Sequence, residues 1–205
     1  SDVCSSDLIS IGAGLTIPFV NLFFNSIFNF SSSDFSIMGS GTAVLVFFSS
    51  LMVPTLKHKY GYWMTIVFVQ GLSICCLITL AITELFATSH YAIYFAVSAF
   101  ILRQPLMHMA HPSSNELMMN YVGERNQELI SALSSSLWSA SWFISAKIFE
   151  WLRLLKFHYY EIFLITAVFY IFGVILYAVI IRQFEKMKKM EKNNVITLSE
   201  ELKID

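Results

Sequence analysis

Charged side chains are scarce in this chain: Lys and Arg number 13 and Asp and Glu 14, together 13% of 205 residues. A water-soluble domain carries roughly 25%, and the 56% hydrophobic share and mean hydropathy of +0.64 depart from that class in the same direction. With a net charge of −1 there is no basic face to neutralise a phosphate backbone, which excludes nucleic acid as a partner. Cysteine is sparse as well. Cys4 stands in a polar leader and Cys75 and Cys76 are neighbours in an apolar run, so no CxxC or Cys/His ligand spacing is formed. Also missing are a GxSxG elbow, a phosphate-cradling GxxxxGK loop and a zinc-binding HExxH. No cofactor, no metal and no enzymatic activity is expected.

What the chain has instead is 19 phenylalanines and a series of long apolar runs. A helix needs about 20 mostly apolar residues to cross a bilayer, and runs of that kind occupy 9–30, 35–56, 62–83, 91–118, 128–151 and 160–181. The expected fold is an all-α integral membrane bundle of six transmembrane helices, with the lipid bilayer as its first partner. Ser31, Ser32, Ser33 and Asp34 supply a helix-starting turn before the second run. Residues 183–205 form a charged, polar tail. The leader 1–8, SDVCSSDL, is the translation of TCA GAC GTG TGC TCT TCC GAT CT, a string that resembles a sequencing-library adapter. We expect it to be an artefact of assembly, with the true start of the protein missing.

Lysine and arginine in the connections set the orientation. Lys57, Lys59, Arg125, Arg182, Lys186, Lys188, Lys189, Lys192 and Lys203 fall on one side if six helices alternate, against Arg153 and Lys156 on the other. Both chain ends are therefore expected in the cytoplasm.

Residues able to carry chemistry concentrate in the fourth run, LRQPLMHMAHPSSNELMMNYVGER. Arg103 lies near its middle, where a charge costs at least ~2.5–3.5 kcal/mol and is normally turned to a bundle interior or watery cavity. Pro105 and Pro112 each remove a backbone donor, so the helix is expected to kink or break beside it. His108 and His111 are candidates for proton coupling, since imidazole titrates near neutral pH. With Glu116 they also define an alternative, a six-helix membrane metalloenzyme, although no further His or Cys completes a ligand set. Asn21 and Asn25, at i and i+4 on the first helix, either bind neighbouring helices or line a polar cavity. Gly12, Ala13, Gly14, Gly39 and Gly41 permit close helix approach. Lys147 and Glu150 are spaced to pair with each other, and the hydroxyls of SSSLWSASW to bond back along their own helix and mark a packing face.

Three stretches together resemble the carboxy-terminal half of a major facilitator superfamily transporter: IGAGLTIPFVNLFF, PTLKHKYG, and LRQPLMHMAHP followed by VGERN and SLWSASW. PTLKHKYG, with Pro54, Lys57, Lys59 and Gly61, is similar to the family's basic cytoplasmic loop motif, without the acidic residue often found there. Where the family pattern is rich in Gly and Pro, the fifth helix has Ser145, Ala146, Lys147 and Glu150. The resemblance implies a secondary active transporter in a bacterial inner membrane, with two six-helix halves, a small-molecule substrate bound between them and alternating access. It also implies that Arg103, Asn21, Asn25 and His111 face the substrate cavity, and that a six-helix amino-terminal half is the missing partner. A fragment of this kind is not expected to transport alone. A non-catalytic half-transporter or scaffold acting as a dimer is the other alternative.

Overall fold

A computed structural model describes residues 12–16, 19–89, 91–122 and 127–201, with side chains at 121–122, 130 and 191–201 left undescribed. The leader 1–8, the first residues of the 9–30 run and Arg125 lie outside these residues. The described chain is helical throughout, with no strand among the described residues. After a helical turn at 12–16 come α1 (Val20–Phe28), α2 (Ser32–Tyr62), a π-helical segment (Trp63–Phe68), α3 (Val69–Thr83), α4 (Ala92–Val122), α5 (Gln127–Leu154) and α6 (Tyr159–Glu201).

The α1–α2 corner is written in local chemistry. Asn29 sits in the left-handed region at φ 55°, where asparagine is tolerated, and its N–H donates to Asn25 O at 3.1 Å. That bond makes an αL-type helix end; the Phe30 N–H reaches Phe24 O at 3.2 Å, and Asn25 Nδ2 donates to Phe30 O at 2.8 Å. Ser31 then opens α2 with a capping box: its hydroxyl accepts from the Asp34 N–H while Asp34 accepts from the Ser31 N–H.

Gly61 is the sharpest feature of the backbone. Its φ of 74° and ψ of −176° lie outside the helical region, in a conformation that essentially only glycine adopts. The Phe35 and Phe100 rings meet at 5.6 Å near the starts of α2 and α4, and Lys57 meets Glu116 near their ends, so these helices run parallel. Ile66, in the π segment, clusters with Leu117 near the end of α4, whereas α3 connects directly to the start of α4. The chain after Gly61 therefore runs back against α2, and this one residue carries the reversal. The PTLKHKYG loop expected from the sequence is helical instead: Pro54, Lys57 and Lys59 belong to the last turns of α2. A helix end favours cations, which complement its negative pole, so the basic residues extend α2 until Gly61 ends it.

The fourth helix is not broken: α4 runs unbroken from Ala92 to Val122 with Pro105 and Pro112 inside it. The polar tail also continues as helix, carrying α6 to Glu201. Two helical stretches, Ser32–Thr83 and Tyr159–Met190, are long and apolar enough to cross a membrane, with mean hydropathies of 2.3 and 2.7 over their richest windows. Gly61 divides the first of these.

Apolar packing sits at both ends of the molecule. The larger cluster joins Phe23 and Phe24 of α1, Leu77 and Leu80 of α3, Phe100 of α4, Phe149 and Leu152 of α5, and Ile162 and Phe163 of α6. Phe19 stacks on Phe149 with centroids 3.5 Å apart. Phe23 lies 5.3 Å from Phe163 in a tilted pair, a geometry that adds about 0.5–1.5 kcal/mol beyond area burial. A smaller cluster of Ile66, Leu117, Tyr177, Ile180 and Ile181 closes the opposite end. Gly14 holds the first turn against α5, since a Cβ there would fall 2.7 Å from the Cβ and Oγ of Ser145. Gly12 faces the Tyr170 ring in the same way, while Gly39 and Gly41 face open space. The outer face of α2, including Phe47, Phe48, Leu51 and Met52, is exposed apolar surface.

Candidate functional site: a cavity around Arg103

Between the two apolar clusters lies a cavity of about 760 Å³. Arg103, Met107, His108, His111, Asn115 and Met118 reach it from α4, mostly at helical three- and four-residue steps. Gln70, Ser73 and Ile74 enter at the start of α3, and Tyr170, Val174 and Tyr177 from α6. From α5 come Ser131, Ser134, Ser135, Trp138 and Ser139, a stripe with i, i+3, i+4, i+7 and i+8 spacing. Ser50 of α2 completes that side.

Arg103 is 1% exposed. Its Nη2 donates to Tyr170 Oη at 3.4 Å, and its Cζ stands 5.8 Å from the Tyr170 ring centroid, within reach of a cation–π attraction. Tyr170 in turn donates to Met107 Sδ at 3.8 Å. Arg103 Nε and Nη1 are buried with no hydrogen-bond partner, as is Gln70 Oε1. No carboxylate answers the guanidinium among the described residues. A buried cation without a counter-ion is among the costliest arrangements in a protein interior.

His111 lies at the rim of the site. Asn115 Nδ2 is 3.2 Å from His111 Nδ1, and with the amide donating, the imidazole carries its proton on Nε2. The ring meets Trp138 edge-on at 5.8 Å. His108 lines the same cavity one turn nearer Arg103. Glu116 points elsewhere: both its oxygens accept from Lys57 Nζ, at 2.6 and 2.5 Å, and Oε1 also from Tyr62 Oη at 3.1 Å. Asn120 Nδ2 donates to Tyr62 Oη and closes a small polar cluster joining the ends of α2 and α4. No group of three metal-capable side chains occurs among the described residues.

No protein family, curated protein or solved structure matches this chain. Any assignment therefore rests on the residues themselves.

Of the residues singled out from the sequence, Arg103, His108, His111 and Pro112 are brought together in the cavity, and Pro105 lies one turn away on α4. Asn21 and Asn25 are exposed on α1 and line no part of it; the Asn25 amide serves the end of its own helix. Lys147 pairs with Glu150 at 2.8 Å on an exposed surface. The α5 hydroxyls do bond back along their helix, Ser135 to Ser131 O at 2.9 Å and Ser139 to Ser135 O at 3.1 Å, and their stripe also faces the cavity. Sequence reasoning missed Gln70 and Tyr170. Gln70 was visible as a lone amide in the apolar run VFVQGLS, whereas nothing in LITAVFYIF distinguishes Tyr170 from an interfacial ring.

At the opposite end from Lys57, Glu84 in the turn after α3 accepts from the Tyr160 N–H at 2.5 Å and so caps α6. Its carboxyl is pushed up from the ordinary value by burial; the Tyr160 hydrogen bond and the neighbouring His158 pull less strongly the other way.

Proposed function

We propose that the chain is the carboxy-terminal six-helix half of a secondary active transporter of the major facilitator type, which moves a small solute by alternating access. The observation that carries the reading is Arg103, fully buried in a roomy cavity with two of its nitrogens unpaired. A structural arginine would be neutralised by the fold; one buried beside a cavity without a counter-ion suits a group that arrives and leaves. That group is an anionic part of the solute, or a carboxylate from the other half while the site is empty.

Several features support the wider reading. The reversal at Gly61 divides one long apolar stretch into two antiparallel spans. Arg182 lies 5.2 Å over the Trp63 ring, which gathers Lys57, Lys59 and Arg182 at one end of the bundle, away from Arg153. That asymmetry favours a bacterial inner membrane orientation with both ends cytoplasmic. The exposed apolar faces of α2 are suited to lipid or to the partner half. In this mechanism Pro105 and Pro112 give α4 weakened backbone bonding beside the site, and His108 and His111 are positioned to couple a proton to the anion.

The genomic reading frame upstream of residue 9 tests this assignment. Six further apolar spans in frame are expected there. An intact frame that encodes residues 1–8 and no such spans would contradict it.

A further inference from the structure

The cavity lining narrows the kind of solute, an inference that rests on the reading of this cavity as the solute site. We propose that it takes an amphipathic organic monoanion: a carboxylate or sulfonate head on Arg103, and an apolar or aromatic body against Met107, Trp138 and Tyr170.

Charge selects the head. Among the described residues, Arg103 is the only permanently charged one lining the cavity, and no aspartate or glutamate lines it. A neutral solute could accept hydrogen bonds from the guanidinium but would leave its buried charge uncompensated. A dianion would bring a second negative charge into a low-dielectric space with one cation to meet it. One negative charge shared over two or three oxygens matches one guanidinium, which binds such groups with charge-assisted hydrogen bonds.

Volume and surface select the body. About 760 Å³ is far more room than an inorganic anion fills. Beyond Arg103 the walls carry Met107, Met118 and Trp138, deformable thioethers and a flat ring suited to an apolar skeleton. The opposing α5 wall is poor in free donors, because the hydroxyls of Ser135 and Ser139 are already given to carbonyls of their own helix. A sugar or polyol, which needs many paired donors and acceptors, is poorly served by such a wall.

Tryptophan fluorescence of the purified full chain tests the proposal, with 4-bromobenzoate as a heavy-atom quenching probe. Its neutral isostere 4-bromobenzamide, bromomethanesulfonate and sodium bromide serve as comparisons. Saturable quenching by 4-bromobenzoate is expected at concentrations at least about tenfold lower than for the benzamide, the minimum expected of a hydrogen bond to a charged group. W138F should remove most of the saturable signal, R103Q should weaken binding by about the same factor, and R103K should lie between. The benzoate–benzamide comparison needs no substitution, so it stands even if R103Q fails to fold.

Equal binding of benzoate and benzamide, absence of saturable quenching, or competition by bromide as effective as by benzoate would each overturn the proposal. Sulfonate binding alongside carboxylate supports both head groups of the proposal. The outcome separates from that of the transport reading. Benzoate binding without flux in the full-length protein would contradict transport and leave this site standing. Arg103-dependent flux that benzoate does not compete with would do the reverse.

Discussion

Arg103 and Tyr170, 67 positions apart in the chain, meet in the middle of the bundle with Nη2 3.4 Å from the phenolic oxygen. This long hydrogen bond is the only one the guanidinium makes among the described residues, and its other two nitrogens are buried without a partner in the wall of the cavity. The tyrosine orients the arginine without neutralising it. A cation held in place and kept unpaired is the arrangement a reversible anion site requires, since a built-in carboxylate would compete with the solute.

Replacement of Gly61 by alanine should destabilise the fold, because an L side chain at φ 74° and ψ −176° is strained by about 1–3 kcal/mol. No neighbour lies within 4 Å of the added methyl, so the cost is conformational rather than steric. Thermal unfolding followed by size-exclusion chromatography should show a lower midpoint for Gly61→Ala. A Gly71→Ala control, also with open space around it, should show none. Equal midpoints for the two variants would contradict the reversal assigned to Gly61.

Gly14 and Ser145 should show strong coupling. Alanine at position 14 places its Cβ against Ser145 at 2.7 Å and forces the first turn away from α5; overpacking of this sort costs about 1–3 kcal/mol. Glycine at position 145 removes the opposing Cβ. The double variant Gly14→Ala with Ser145→Gly should therefore be more stable than the sum of the single effects allows. Strict additivity in unfolding midpoints would show that the two helices do not touch there.

The pH dependence of stability should carry the signature of Glu84. Burial raises its carboxyl above the value in the unfolded chain, so the folded state holds this proton more tightly. The unfavourable contribution is present in full above the folded value and is relieved as pH falls through it toward the unfolded value. Glu84→Gln keeps an acceptor for the Tyr160 N–H and removes the titration. The variant should be more stable than the parent at neutral pH and converge with it in acid. A difference that stays constant with pH would exclude Glu84 as its source.

Much of the architecture was legible in the sequence because bilayer-length apolar runs and a Ser/Asp start are local signals. Ser31 caps α2 where the SSSD turn implied, and Arg103 announced itself as a charge in an apolar helix. Helix ends were harder to read. The last turns of α2 are fixed in part by the contact of Lys57 with Glu116, 59 residues away, which no local pattern encodes. The inward faces were least legible. In helices apolar on nearly every side, hydropathy does not say which face turns inward, so Tyr170 emerged only once α3, α4 and α6 were packed together. The exposed positions of Asn21 and Asn25 have the same origin, since their spacing fixes a shared face but not its direction.

The most direct test of the central claim is solute flux through the full-length protein with Arg103 replaced. Arg103→Ala should lower uptake at least about tenfold, the loss expected when hydrogen bonds to a buried charge are removed, with membrane expression and helicity unchanged. Arg103→Lys, which keeps the charge and loses the planar fork, should fall between the two. Uptake by Arg103→Ala equal to that of the parent at equal expression would contradict the account.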